Sequence, residues 1–140
     1  MALQDARNLV IKREVTTGNF SFVCGIRTRS MSIGNAVIDT TRPSCDDPSL
    51  PIVETGEPGR QTLRFSGDGL FDSDAVSILV ADDARLQRTP NWQIIWPGYG
   101  TWQGPFMIAN FEGSGEMDDK LAFSAEWVPI NPDDLVFTAA

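Results

Sequence analysis

WQIIWPGYGTWQGPFMIANFEGSGEMDDKLAFSAEW, residues Trp92–Trp127, holds all four tryptophans, the only tyrosine and three of the eight phenylalanines. Strand-forming runs are broken here by Pro97-Gly98, by a glycine-rich turn and by Asp118-Asp119. Trp92–Trp96 and Thr101–Glu112 read as a hairpin joined through Pro97-Gly98-Tyr99-Gly100. Gly113–Lys120 makes a second turn. Leu121–Val128 then alternates, with Leu121, Phe123, Ala125 and Trp127 inward and Ala122, Ser124 and Glu126 outward. So much aromatic surface in so short a span calls for antiparallel strands that bury one face. Inward aromatics at period two are favoured as core; a ligand platform for sugars or bases is the other reading.

The same alternation extends upstream. Leu9–Val15 reads as a strand ending at the Thr16–Asn19 turn, and Phe20–Cys24 follows with Phe20, Phe22 and Cys24 on one face. Ile26–Ile38 is a longer extended stretch on which Arg27 and Arg29 share a face. From Asp39 to Arg60 the character changes. Pro43, Pro48, Pro51 and Pro58 with Gly56 and Gly59 predict a long extended loop. That loop is expected to be mobile in a free subunit. Thr62–Phe71 returns to alternation, with Leu63, Phe65 and Phe71 on one face and Arg64, Ser66 and Asp68 on the other. Gly67 and Gly69 inside it suggest the close approach of another backbone.

One helix is predicted over Asp72–Gln87, capped by Asp72 or Ser73, with Asp74 at the positive end of its dipole. Val76, Leu79, Val80 and Leu86 form its expected buried stripe, and Asp82 and Asp83 its wet side. Pro90 stops it. A short final strand, Leu135–Thr138, closes the chain. The sum is about seven strands and one helix: an α+β, mainly β domain, an antiparallel β-sandwich or half-barrel with one flanking helix. At 140 residues the chain reads as a single domain, 1–140, with the loop at 39–60.

Composition narrows the function classes. The N-terminal segment carries charges through its apolar residues, which argues against a signal peptide and for cytosolic synthesis. Cys24 and Cys45 are then expected as separate thiols, Cys24 packed and Cys45 in a polar loop. The formal charge of −8 disfavours sequence-independent nucleic-acid binding, which relies on Lys and Arg. It fits a surface that nucleic acid passes without sticking.

There are no histidines, so Ser-His-Asp and Cys-His nucleophilic sites and every His-ligated metal site are excluded. No P-loop and no strand-borne GxGxxG occurs. Carboxylates remain. Asp46-Asp47, Asp82-Asp83, Asp118-Asp119 and Asp133-Asp134 fit turns and a solvated helix face better than a calcium site or a glycosidase pair. Arg27 and Arg29 read better as partners for the excess carboxylates than as phosphate contacts. No catalytic residue, metal or cofactor is predicted.

Three segments, taken in order, carry a resemblance: GIRTRSMSIGNAVIDTT (Gly25–Thr41), GRQTLRFSGDGLFDSDA (Gly59–Ala75), and Trp92–Ala140 with its hairpin, LAFSAEW and VFTAA end. Together they resemble the major tail tube proteins of long-tailed bacteriophages, in the TP901-1-like group that includes gene-transfer-agent tails. The resemblance implies a structural virion protein, not an enzyme. It implies homohexameric rings that stack into a tail tube, with subunit strands closing a barrel around a DNA-conducting lumen. The implied partners are further copies of the chain and the tail tape-measure, tail tip and terminator proteins. The resemblance further implies that DNA passes without specific binding, that no membrane is involved, and that assembly takes place in the bacterial host cytoplasm. Outward polar positions then become lumen candidates: Arg64, Asp68, Asn110, Glu112, Ser124 and Glu126. The segment CDDPSLPIVETGEPG departs from the turn expected for the family. Thr40, Arg42, Asp46, Asp47, Glu54 and Glu57 are the candidates for contact with a neighbouring ring. A carbohydrate-binding β-sandwich module is the alternative.

Overall fold

The computed structural model describes residues 2–140. Among these residues eight strands and one α-helix follow in the order β1 (Val10–Thr16), β2 (Asn19–Phe22), β3 (Ile26–Asp39), β4 (Gly56–Leu70), α1 (Ala75–Leu86), β5 (Asn91–Trp96), β6 (Gly100–Ser114), β7 (Ala122–Pro129) and β8 (Val136–Ala139). The strands run β2-β1-β5-β6-β7-β4-β3 across the sheet, and β8 joins β6. Residues 2–31 with 64–140 form one compact unit and Ser32–Leu63 a second.

In the larger unit, β6 serves two halves of the sheet. Its first residues pair with β5, Trp96 opposite Gly100 and Asn91 opposite Pro105, and with β8, Gln103 opposite Val136. From Phe106 to Ser114 it pairs instead with β7. The handover falls at Gly104-Pro105. A side chain on Gly104 would meet the Asp134 carbonyl and Leu135, so only glycine lets the backbones approach there. A register shift between Ile108 and Asn110 then bends the strand further.

Inside the bend lie Ile11, Phe65, Trp92, Ile94, Phe106 and Trp127, all essentially dry. Trp127 meets Trp92 edge-to-face at 5.6 Å and Phe65 at 5.5 Å. These rings are core, as their alternation predicts. On β4, Gly69 lies against the Gly25 backbone and Gly67 against Ile26, leaving no room for a Cβ at Gly69. The close approach read from those glycines is therefore present.

The helix differs from its prediction at its start and on its buried face. It starts at Ala75, and Asp74 caps it by accepting the Ser77 N–H at 2.8 Å; neither Asp72 nor Ser73 is the cap. Its buried residues are Ser77, Val80 and Asp83, spaced three apart, while Leu86 is half exposed. Asp83 is not on the wet side. It receives Arg13 of β1 in a two-pronged ion pair, Nε to Oδ2 at 2.5 Å and Nη2 to Oδ1 at 2.8 Å. The pair straps the helix to the sheet and rotates the buried stripe toward Asp83.

Other expectations need correction. Cys24 does not pack; it is exposed at a turn where Gly25 takes φ 85°, so the strand has already ended at Phe22. Phe22 is also exposed, its ring covered by the Lys12 ammonium at 4.3 Å. Leu121 lies outside its strand and is exposed. Arg29 does not pair with carboxylates. Its guanidinium donates to the carbonyls of Arg7, Leu9 and Ile26 at 2.8–3.0 Å, tying the N-terminal segment to β3.

The smaller unit is the hairpin of β3 and β4 with its connection. The loop is shorter than 39–60, because Asp39 still belongs to β3 and Gly56–Arg60 already belong to β4. Pro58 and Gly59 do not prevent this. Gly59 sits against Ala36 and Ile38 of the neighbouring strand, where a side chain would crowd.

Candidate functional site

The register across β4, β7 and β6 fixes which side chains share a face. Asp68 lies opposite Ser124, which lies opposite Glu112; Ser66 lies opposite Glu126, which lies opposite Asn110. These are two polar rows across three neighbouring strands, on the face opposite Phe65, Phe123 and Trp127. Arg64 completes the set by reaching Glu126 at 2.5 Å. All six lumen candidates therefore stand on one wall.

Two shallow troughs of about 180 and 520 Å³ run over the wall. Thr28 and Ser30 of β3, with Ser66 and Ser114, line them beside the predicted residues. The prediction missed these four. Period two already placed Ser66 beside Arg64 and Asp68, but no local signal joined β3 to that wall. The charged residues along the troughs are Asp68, Glu112 and Glu126 with Arg27 and Arg29, and Arg64 joins them through Glu126. Arg64 is held by Glu126 at a partly exposed position, where such a pair contributes about 0–1 kcal/mol. Its effect is electrostatic: the guanidinium is occupied instead of free for phosphate.

The ring-contact candidates are less unified. Thr40 and Thr55 close the loop, N–H to carbonyl at 3.1 Å and hydroxyl to hydroxyl at 3.0 Å. Arg42 lines a hollow of about 590 Å³ with Thr40, Cys45 and Val53. Asp47 accepts from the Ser49 hydroxyl and N–H, and these bonds hold its carboxyl below the usual range. The Thr41 hydroxyl and N–H do the same for Asp39. Asp46 and Glu54 are exposed on the loop, whereas Glu57 is on β4 and not in the loop.

Among the described residues no group of His, Cys, Asp or Glu is arranged to hold a metal ion. Among the same residues no helix is long and apolar enough to cross a membrane.

An open, mostly antiparallel sheet with one helix matches solved tail tube structures. The tail of an empty gene transfer agent particle, refined with C6 symmetry, superposes with a TM-score of 0.81 at 25% identity, over 98% of this chain and 100% of that one. A native gene transfer agent virion gives 0.79 at 23% identity, over 98% and 100%. The SPP1 tail tube gives 0.66 at 11% identity, over 97% and 79%, a likeness of fold alone. Residues 4–127 match the family described as phage tail tube protein, and the chain belongs to that family. A comparison with curated proteins finds no match.

Proposed function

We propose that the chain forms sixfold rings that stack into the wall of a DNA-conducting tail tube, with the β6-β7-β4-β3 face toward the channel. The observation that carries this reading is the pair of polar rows on one wall bounded by free strand edges. β3 ends the strand order, and beyond Pro105 β6 has β7 along one side while β5 no longer flanks the other. Unpaired edges invite another chain. Joining β3 of one copy to β6 of the next is a head-to-tail contact, which closes into a ring when its rotation permits. Six copies of four strands make a 24-stranded barrel, about 50 Å across at the backbone by strand spacing and tilt. That width passes a DNA duplex.

Charge supports the same role. Six chains at −8 give −48 per ring, and a ring of net negative charge disfavours holding phosphate. Nothing in the reading requires catalysis or a cofactor. The chain acts as a virion component assembled in the host cytoplasm, meeting tape-measure, tail tip and terminator proteins along the tube. Asp46, Asp47, Glu54 and Arg42 lie on the loop that would meet the next ring.

Mass photometry of the purified chain across concentrations tests the ring. Six subunits of 15.4 kDa give 92.4 kDa, and species at that mass and its multiples are expected. Monomers at every concentration, with no rings even when tail initiator components are added, contradict the reading.

A further inference from the structure

β3 stands at one end of the strand order, and ring formation as read above gives its free edge to β6 of the next copy. A free subunit has to keep such an edge from pairing at random. The first residues of β3 carry a device that does so. The Leu70 N–H donates to the Gly25 carbonyl at 3.1 Å, so that carbonyl faces β4. Successive carbonyls of an extended strand point to opposite sides, which turns the Ile26 carbonyl to the free edge. It is not left open. The Arg29 guanidinium turns back along β3 and donates to it from Nη2 at 2.8 Å. Nη1 donates to the carbonyls of Arg7 and Leu9 at 2.8 and 3.0 Å. One side chain thus fills an edge acceptor and draws the segment before β1 against it.

The segment held in this way buries almost nothing of its own. The 3-10 turn at Ala6–Asn8 has no buried residue, Leu3 is 96% exposed, and the Arg7–Asp5 ion pair lies on the surface. Gln4, lying on the turn at Gly98, is a further point of attachment. A strap with so few apolar contacts opens locally at little cost, while the sheet beneath it stays folded.

We propose, on the tube reading above, that Arg29 and residues 2–9 form a latch over the start of the β3 edge. Closed, it keeps a free subunit from pairing with a second copy; it opens as β6 of that copy takes the edge. The guanidinium stands where an N–H of the incoming strand would bond to Ile26, so the two compete for one place. The barrier to assembly then lies within the subunit, and loosening the latch speeds ring formation.

Mass photometry over time, with urea unfolding of each protein alongside, tests this. Arg29→Met keeps an apolar stem and removes all three bonds of the guanidinium. Removal of residues 2–7 keeps Arg29 and takes away most of the segment. Both variants are expected to form rings at least about tenfold faster than the wild type, the effect of losing one charge-assisted hydrogen bond from the closed state. Arg29→Lys, with a single ammonium in place of the fork, should fall between them and the wild type. Faster assembly by a subunit no more stable than the wild type is a result that a merely structural strut does not give, since its loss would slow assembly. Folded variants that form rings no faster than the wild type overturn the latch and leave the tube reading standing. A wild-type chain that never forms rings removes both. If Arg29→Met unfolds, the truncated chain decides; a truncated chain that also fails to fold makes the segment part of the fold and overturns the latch.

Discussion

Replacing Asp83 with alanine is expected to destabilise the subunit by about 3–5 kcal/mol, because it strands the Arg13 guanidinium in a dry site. The Asp83 side chain is fully buried and that of Arg13 is only 9% exposed. Arg13 keeps only its bond to the Glu14 carbonyl, at 2.9 Å. A domain of this size is stable by roughly 5–15 kcal/mol in total, so the variant sits near unfolding. Arg13→Ala should cost a similar amount by orphaning the carboxylate. The double variant Arg13→Met/Asp83→Leu removes both charges and fills the space, and should come close to the wild type or exceed it. Urea unfolding of the four proteins measures this directly. A single variant losing under about 1 kcal/mol, as an exposed pair would, contradicts the burial that makes the strap matter.

Reversing Asp68, Glu112 and Glu126 to lysine is expected to leave rings able to form while sharply reducing DNA delivery. Three carboxylates become three ammonium groups, so the formal charge moves from −8 to −2 per chain and from −48 to −12 per sixfold ring. Each lysine on the wall gains phosphate contacts and releases counterions, so the block should weaken as salt rises. Glu126→Lys also frees Arg64 and sets a second cation beside it. The pair Asp68→Lys/Glu112→Lys leaves that bridge intact and separates the channel effect from a local one. Particles carrying either variant are scored for tube length and for DNA transferred. Normal tubes that transfer DNA at the wild-type rate contradict the assignment of this wall to the channel.

Much of the fold was legible because β alternation is a local signal. The Trp92–Trp96 hairpin, the inward Phe123, Ala125 and Trp127, and the glycines at 67 and 69 all follow from spacing within a few residues. The candidate wall was half legible for the same reason: period two put Arg64, Ser66 and Asp68 together, and Ser124 with Glu126. What spacing cannot supply is the neighbour. Asp82-Asp83 looks like a solvated doublet until Arg13, 70 positions away, claims one of the two. Gly56–Arg60 looks like loop by composition, yet pairing with β3 makes it strand. Thr28 and Ser30 joined the wall only once β3 was known to lie beside β4. Spacing did not show that Trp96, Tyr99 and Phe137 stay partly uncovered, because sequence gives hydrophobicity and not the side left exposed.

Helical reconstruction of tubes assembled from the purified chain tests the central claim most directly. The account predicts sixfold rings whose β6-β7-β4-β3 face lines the channel, with Asp68, Glu112 and Glu126 on the wall and α1 on the outside. A tube whose lumen is lined by α1 or by the β1–β2 side, with those carboxylates facing solvent or a neighbouring subunit, would contradict it.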